Sequence, residues 1–262
     1  MSTTAAELLE LARSTAREAG ELAMAMRTRG VEVAGTKSSP TDVVTEADQA
    51  VEALIRERLL GPRPDDGFFG EEGEAVAGTS GVRWIVDPID GTVNYLYGLP
   101  HYAVSIAAEQ DGAMVAGVVL APELDLEYAA TQGGGATRNG EPLSSRGAPA
   151  LELSLVASGY SYQQAVREHQ ATAVARMLPH VRDIRRIGSC ALDLCAVASG
   201  SLDAYVEEGP HLWDHAAGGL VAVECGARIE VWPTSRDLGL VLCAPVPIWE
   251  DFKSLVRECE FL

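Results

Sequence analysis

The sequence predicts an α/β protein in which two amphipathic helices precede a multi-stranded sheet, followed by a second half of alternating helices and strands. Three observations carry this reading. Apolar residues recur at helical spacing up to Gly30 and again after Thr45; from residue 66 the period shortens to that of strands; and beyond residue 150 the two patterns alternate.

In the first helix Leu8, Leu11, Ala12, Ala19, Leu22, Ala23 and Met26 share one face, and Gly30 supplies the C-terminal stop. The following segment, GTKSSPTDVV, reads as a loop. Thr45 caps a second helix with Ala47, Val51, Leu54 and Ile55 on its buried side, and Asp48 falls in the first turn, where negative charge is favoured. GFFGEE, VRWIVDPID, YAVSIAAE, AMVAGVVLAP and LEYAAT then read as strands of one sheet, and TQGGGATRNGE as a hairpin or tight loops. In the second half, helices are predicted at about 162–177, from Ser189 to Ala198, from Trp213 to Cys225 and at the C-terminus, with strands at LDAYVE, ARIEVW and GLVLCAP. The Pro- and Gly-containing stretch near 147–150 is the natural junction, dividing the chain into 1–150 and 151–262, two subdomains of one compact unit.

Composition narrows the function. With 38 acidic against 20 basic residues and a formal charge of −18, the overall field repels nucleic acid and anionic membrane, so neither is an expected partner. The N-terminal stretch carries Glu and Arg throughout, and no apolar run reaches membrane-spanning length, which predicts a cytoplasmic protein. The five cysteines form no C-x-x-C and sit mostly in apolar runs, which predicts reduced, structural thiols.

The chemistry begins at Trp84–Thr92, where an apolar strand runs into two acids, a proline and a glycine turn. Pro88 cannot pair in a ladder at its own position, so the chain is expected to leave the sheet there and turn Asp87 and Asp90 toward one point. Gly91 allows close backbone approach to a ligand. Alone, this segment reads first as a turn capped by its own aspartates. Glu71 ends another strand and Asp214 opens a helix; each alone reads as a surface or capping acid. Together, carboxylates at element ends without a supporting Cys/His cluster select Mg2+ or Mn2+ rather than zinc, and two such ions can straddle a phosphate ester. Ser189 lacks a base and an oxyanion context, which argues against serine-hydrolase chemistry.

Gly70-Glu71-Glu72, Trp84–Asn94 and Trp213-Asp214-His215-Ala216-Ala217-Gly218, in that order and spacing, resemble the inositol monophosphatase family, and the likeness extends to Lys37–Asp48 and Arg186–Leu192. The resemblance implies a layered αβαβα sandwich of the inositol monophosphatase and fructose-1,6-bisphosphatase type. It implies two to three Mg2+ ions, with Mn2+ the other candidate. Glu71, Asp87 and the Ile89 carbonyl would hold the first, and Asp87, Asp90 and Asp214 the second. Glu71 and Thr92 would orient a metal-bound water, with Asp90 also in the catalytic set, while the N–H groups of Gly91 and Thr92 would take phosphate oxygens. Asp90, Cys190, Glu207 and Asp214 would face the alcohol. Asp48, with Asp42 and Lys37, matches a segment that helps hold a third ion; it reads equally as an acid stabilising its helix. His211 and His215 are expected to be structural rather than ligands. The implied reaction is lithium-sensitive hydrolysis of myo-inositol 1-phosphate by a homodimer. Fructose 1,6-bisphosphate, histidinol phosphate and adenosine 3′,5′-bisphosphate are the alternative substrates, and a catalytically silent polyol-phosphate-binding regulator is the non-enzymatic alternative.

Overall fold

Two capping boxes start the first two helices. In the computed structural model, which describes residues 3–31, 33–36, 43–145, 147–236 and 238–262, Thr4 and Glu7 close the box that opens α1 (Ala5–Arg29), and Gly30 ends that helix with a positive φ. Each box satisfies backbone N–H groups that a helix start leaves without partners. The segment predicted as a loop contains two short antiparallel strands, β1 (Val33–Thr36) and β2 (Val43–Thr45). Their β-branched residues were outweighed in the sequence reading by the Ser, Pro and Thr between them. Thr45 ends β2 and, with Asp48, forms the box that opens α2 (Glu46–Leu60).

A seven-stranded sheet follows, in the spatial order of the sequence: β3 (Gly67–Gly70), β4 (Val82–Asp90), β5 (Ala103–Gln110), β6 (Ala113–Ala121), β7 (Leu126–Thr131), β8 (Gly135–Arg138) and β9 (Glu141–Pro142). Only β3 and β4 run parallel; the other neighbours are antiparallel. A short helix, α3 (Thr92–Leu96), separates β4 from β5.

The second sheet has five strands. The chain adds β10 (Leu155–Ser158), α4 (Gln164–Met177), β11 (Asp183–Arg185), α5 (Cys190–Ser199), β12 (Ala204–Glu208), α6 (Leu212–Glu224), β13 (Ala227–Pro233), β14 (Gly239–Pro245) and α7 (Trp249–Glu258), with sheet order β11-β10-β12-β14-β13. Both β10 and β11 escaped the sequence reading. They are short and pair in parallel with distant segments, so no local hairpin signal marks them.

Three apolar clusters stack these parts into five layers, in agreement with the αβαβα expectation. One joins α1 and α2 to the outer face of the first sheet, the second fills the space between the sheets around α5 and α6, and the third joins α4 and α7 to the far face of the second sheet. Helix α6 packs against β4, β5, β6 and β7 on one side and β13 on the other. It approaches closely because Gly117 of β6 has no side chain: a Cβ there would lie 3.1 Å from the Ala217 Cα. Among the described residues, no helix is long and apolar enough to cross a membrane.

Candidate active site

Asp87 and Asp90 stand at the end of β4, where the sequence predicted an exit from the sheet at Pro88. The strand instead runs on to Asp90, and the register slips between the pairs Asp87↔Ser105 and Asp90↔Ala103. An extra residue in one strand bends it and re-aims its side chains, so the missing proline N–H is absorbed by an irregularity rather than by termination. The Asp87 carboxylate accepts the Ile89 N–H at 3.0 Å across this slip.

Asp214 joins them from the first turn of α6. Carboxylate oxygens of Asp87, Asp90 and Asp214 lie within 4.8 Å of one another. The same Asp214 accepts the His211 N–H at 2.5 Å, so the capping reading and the cluster reading of this residue hold together. Glu71, just beyond β3, lines the same cleft and presses on Asp87.

Asp90 is held from across the interface between the layers. Its carboxylate accepts the Ser189 hydroxyl at 2.5 Å and the Ala191 N–H at 2.7 Å, both at the start of α5. The sequence places Ser189 at the start of a helix and excludes it as a nucleophile, without assigning its hydroxyl a partner. A Ser immediately before an apolar helix is an N-cap signal, and that signal could have directed its hydroxyl toward a site acid.

These carboxylates are electrostatically strained as a group. Burial pushes Asp87 and Asp214 well above the usual carboxylate range, and facing acids, Glu71 first, push them further. Asp90 is raised by burial to about 7, although the Ser189 and Ala191 donors pull the other way. Buried carboxylates this close repel one another unless protons or a cation intervene. An all-oxygen donor set of this kind fits a hard divalent cation. Among the described residues the clustered ligand atoms come from Asp87, Asp90 and Asp214 and from no histidine; burial, with His211 nearby, lowers His215 to about 4, so it stays neutral and adds no charge to the cluster.

Gly91 turns the chain after Asp90 at φ +98°, where a Cβ would lie 3.0 Å from both the Gly188 and His101 carbonyl oxygens. The buried Asn94 stitches these loops, its Nδ2 donating to His101 O at 2.7 Å and Ile187 O at 2.9 Å. Thr92 Oγ1 lies 3.2 Å from both Asp48 Oδ1 and Ile89 O. Asp48 is fully buried behind Thr92, with Oδ2 taking the Thr45 N–H at 2.7 Å and hydroxyl at 2.5 Å. It therefore meets the site through Thr92 and does not line the cleft. Lys37 and Asp42 lie outside the described residues.

Glu71, Asp87, Ile89, Asp90, Gly91, Thr92, Cys190, Glu207 and Asp214 all line one cleft of about 530 Å3. Its far side is built on β12 and the loop after β10. Glu207 accepts the Tyr205 hydroxyl at 2.9 Å, and its carboxylate occupies the space a side chain on Gly159 would fill. Burial raises Glu207, and raises the Cys190 thiol well above its ordinary value with help from Asp90 and Asp214, so Cys190 is a protonated wall. Gln170 of α4, which the sequence reading passed over, accepts the Ser161 N–H and donates to the Glu208 carbonyl, each at 2.8 Å.

Comparison with known proteins gives a consistent picture. The model of the inositol monophosphatase family matches residues 4–248. Inositol-1-monophosphatase SuhB of Mycobacterium tuberculosis is 43% identical over 261 residues, spanning 92% of this chain and 90% of that protein. Nus factor SuhB of Haemophilus influenzae is 34% identical, spanning 96% of each. The solved structure of Mycobacterium tuberculosis SuhB superposes with a TM-score of 0.86 at 39% identity, covering 99% of both chains.

Proposed function

The chain belongs to the inositol monophosphatase family, and from that premise we propose that it hydrolyses myo-inositol 1-phosphate to inositol and phosphate with Mg2+ as cofactor. The observation that carries this reading is the cluster of oxygens from the buried Asp87 and Asp90 and the half-buried Asp214 within 4.8 Å, with Glu71 beside it. A divalent cation held by Glu71, Asp87, the Ile89 carbonyl, Asp90 and Asp214 would neutralise phosphate charge and acidify a water molecule.

The chain's own groups supply the rest. Thr92 spends its hydroxyl hydrogen on Asp48 or the Ile89 carbonyl, so its lone pairs are left to accept a hydrogen bond from the attacking water. Glu71 takes the proton that water loses. The Gly91 and Thr92 N–H groups hold phosphate oxygens, and Asp214 faces the leaving oxygen. Glu207 accepts hydrogen bonds from ring hydroxyls, with Cys190 as an inert side of the pocket. Since Asp87 and Asp90 come from the first half of the chain and Asp214 from the second, the two halves work as one unit. We read the protein as a homodimer, the commonest closed assembly, which light scattering would check.

The decisive experiment is a kcat/KM panel over inositol 1-phosphate, fructose 1,6-bisphosphate, histidinol phosphate and adenosine 3′,5′-bisphosphate with Mg2+ titrated. Inositol 1-phosphate is expected to lead. A preference of about tenfold or more for histidinol phosphate or the nucleotide would overturn the substrate choice. Absence of Mg2+-dependent phosphate release from all four would overturn the enzymatic reading and favour the silent regulator, a reading that relatives named Nus factor SuhB support.

A further inference from the structure

The bend that carries Glu71 into the cleft is not closed by its own backbone. A bridge between Phe68 and Val76, with N–H···O bonds of 2.9 and 2.8 Å, brackets it. Among the described residues, no backbone hydrogen bond joins Glu71, Glu72, Gly73 and Glu74 to one another. What fills the bend is a side chain from α2: Glu52, 3% exposed, whose Oε2 accepts the Glu72 N–H at 2.8 Å. The two glycines that flank the acids make room for it. A Cβ at Gly70 would overlap Glu52 Oε2, and one at Gly73 would lie 2.7 Å from Glu52 Oε1. The carboxylate is therefore enclosed by the bend, with glycine on either side.

Arg56, one turn further along α2, completes the clamp. Its guanidinium lies 3.7 Å from Glu52 Oε1, donates to the Glu74 carbonyl at 2.9 Å and lies over the Phe68 ring, 4.3 Å from the centroid. A helical i,i+4 ion pair alone adds little, and it leaves the burial unexplained. Enclosing a carboxylate costs desolvation that an apolar side chain of similar size would avoid. What the carboxylate adds is a strong acceptor for one N–H of the bend, and that N–H belongs to the residue next to Glu71.

Glu71 itself lines the cleft with Asp87 and Asp214. The peptide between Glu71 and Glu72 is planar and stiff, so a shift of the Glu72 N–H carries the Glu71 backbone with it. Misplacing a reacting group by about 1 Å can lower a rate by about a hundredfold. We propose that Glu52 is a positioning residue for Glu71, fixing from α2 the reach of that acid toward the cation and the attacking water. This deepens the proposed phosphatase reading and rests on it. One turn earlier the same helix reaches Thr92 through Asp48, so α2 braces both residues assigned to that water.

Steady-state kinetics with Mg2+ titrated, calorimetric Mg2+ binding without ester, and thermal unfolding test it on the wild type, Glu52→Gln and Glu52→Leu. In Glu52→Leu, kcat for inositol 1-phosphate is expected to fall by about tenfold to a hundredfold and the calorimetric Kd for Mg2+ to rise by about tenfold, while KM for the ester at saturating Mg2+ changes less than about threefold. Glu52→Gln keeps an oxygen for the Glu72 N–H and should recover most of the loss. A purely structural Glu52 would lower Tm and leave the Mg2+ affinity of the folded protein unchanged. That result, or a Glu52→Gln as impaired as Glu52→Leu, overturns the proposal. Should Glu52→Leu not fold, Gly73→Ala replaces it, because its methyl crowds Glu52 Oε1 and Arg56 Nη2 and shifts the carboxylate. The same division between kcat, Mg2+ affinity and KM is then expected, and its absence overturns the role. If the wild type binds Mg2+ but hydrolyses no ester, the phosphatase reading falls. Glu52 is then judged on Mg2+ affinity alone, and equal affinity in wild type and variant overturns it. A wild type that binds no Mg2+ overturns both.

Discussion

Removing the Ser189 hydroxyl isolates what holds Asp90. Ser189→Ala deletes the 2.5 Å hydrogen bond to the Asp90 carboxylate and leaves the 2.7 Å bond from the Ala191 N–H. A hydrogen bond to an ionised group contributes about 1.5–3 kcal/mol, so the ionised form of Asp90 loses roughly that much relative to its protonated form. Asp90 already sits near 7 without a cation. A further rise leaves it mostly protonated at neutral pH, and a cation must then displace the proton. The half-saturating Mg2+ concentration is expected to rise by about tenfold to a hundredfold, while KM for the ester at saturating Mg2+ moves by less than about threefold. The same hydroxyl accepts the Leu192 N–H at 3.3 Å as the cap of α5. Loss of that cap costs about 1 kcal/mol, or a few degrees of Tm, which thermal unfolding measures separately. Ser189→Thr keeps the hydroxyl and should stay close to wild type. An unchanged Mg2+ requirement in Ser189→Ala, with the expected loss of Tm, would refute the reasoning.

Three further outcomes follow from described contacts. In chelator, Asp90 at about 7 against an unfolded value of 3.8 binds its proton more tightly folded than unfolded, so its contribution to stability falls as pH rises across that interval. His215 acts in the opposite sense between about 4 and 6.5, being neutral when folded. The gain in Tm on adding Mg2+, in which the His215 contribution cancels, should therefore be larger at pH 7.5 than at pH 5, and an equal gain at both would refute it. Gln170→Leu leaves the Ser161 N–H and Glu208 carbonyl without their buried partner. Each orphaned group costs about 1–3 kcal/mol, and steady-state kinetics should show KM for inositol 1-phosphate rising more than kcat falls, with a small aryl phosphate less affected. Gly159→Ala drives the Glu207 carboxylate from its place beside Tyr205; KM for the inositol ester is expected to rise by about tenfold, as it should for loss of a hydrogen bond to a charged group.

The fold and the acids were legible because their signals are local. Periodicity marked both N-terminal helices, alternation and turn residues marked the first sheet, and Trp84–Asn94 carried its two aspartates within one short segment. Long-range partnerships left no such trace. Nothing near Asp90 announces that Ser189 will donate to it, and nothing near Ser161 announces Gln170. Pro88 misled for a related reason. A proline forbids one ladder bond, but only the neighbouring β5 decides whether the strand ends or slips register and continues. Asp48 was left between two readings because its partner, Thr92, is far away in sequence.

The small residues of α6 carry a further consequence. Side chains at Gly218 and Gly219 would lie 2.9 Å from the Ala191 carbonyl oxygen and the Ile229 Cδ1, just as one at Gly117 would press on Ala217. In the run Trp213-Asp214-His215-Ala216-Ala217-Gly218, the alanines and glycine therefore set the spacing of the layers, and the aspartate alone brings an acid to the cleft. Those two demands are separable. A descendant that gave up turnover would still need the spacers to keep its layers together, yet could exchange the aspartate at the cost of only the cap it forms with the His211 N–H at the start of α6. In an unread sequence with this architecture, the spacers would attest to the fold, and the acids would be the letters that tell a working hydrolase from its silent copy.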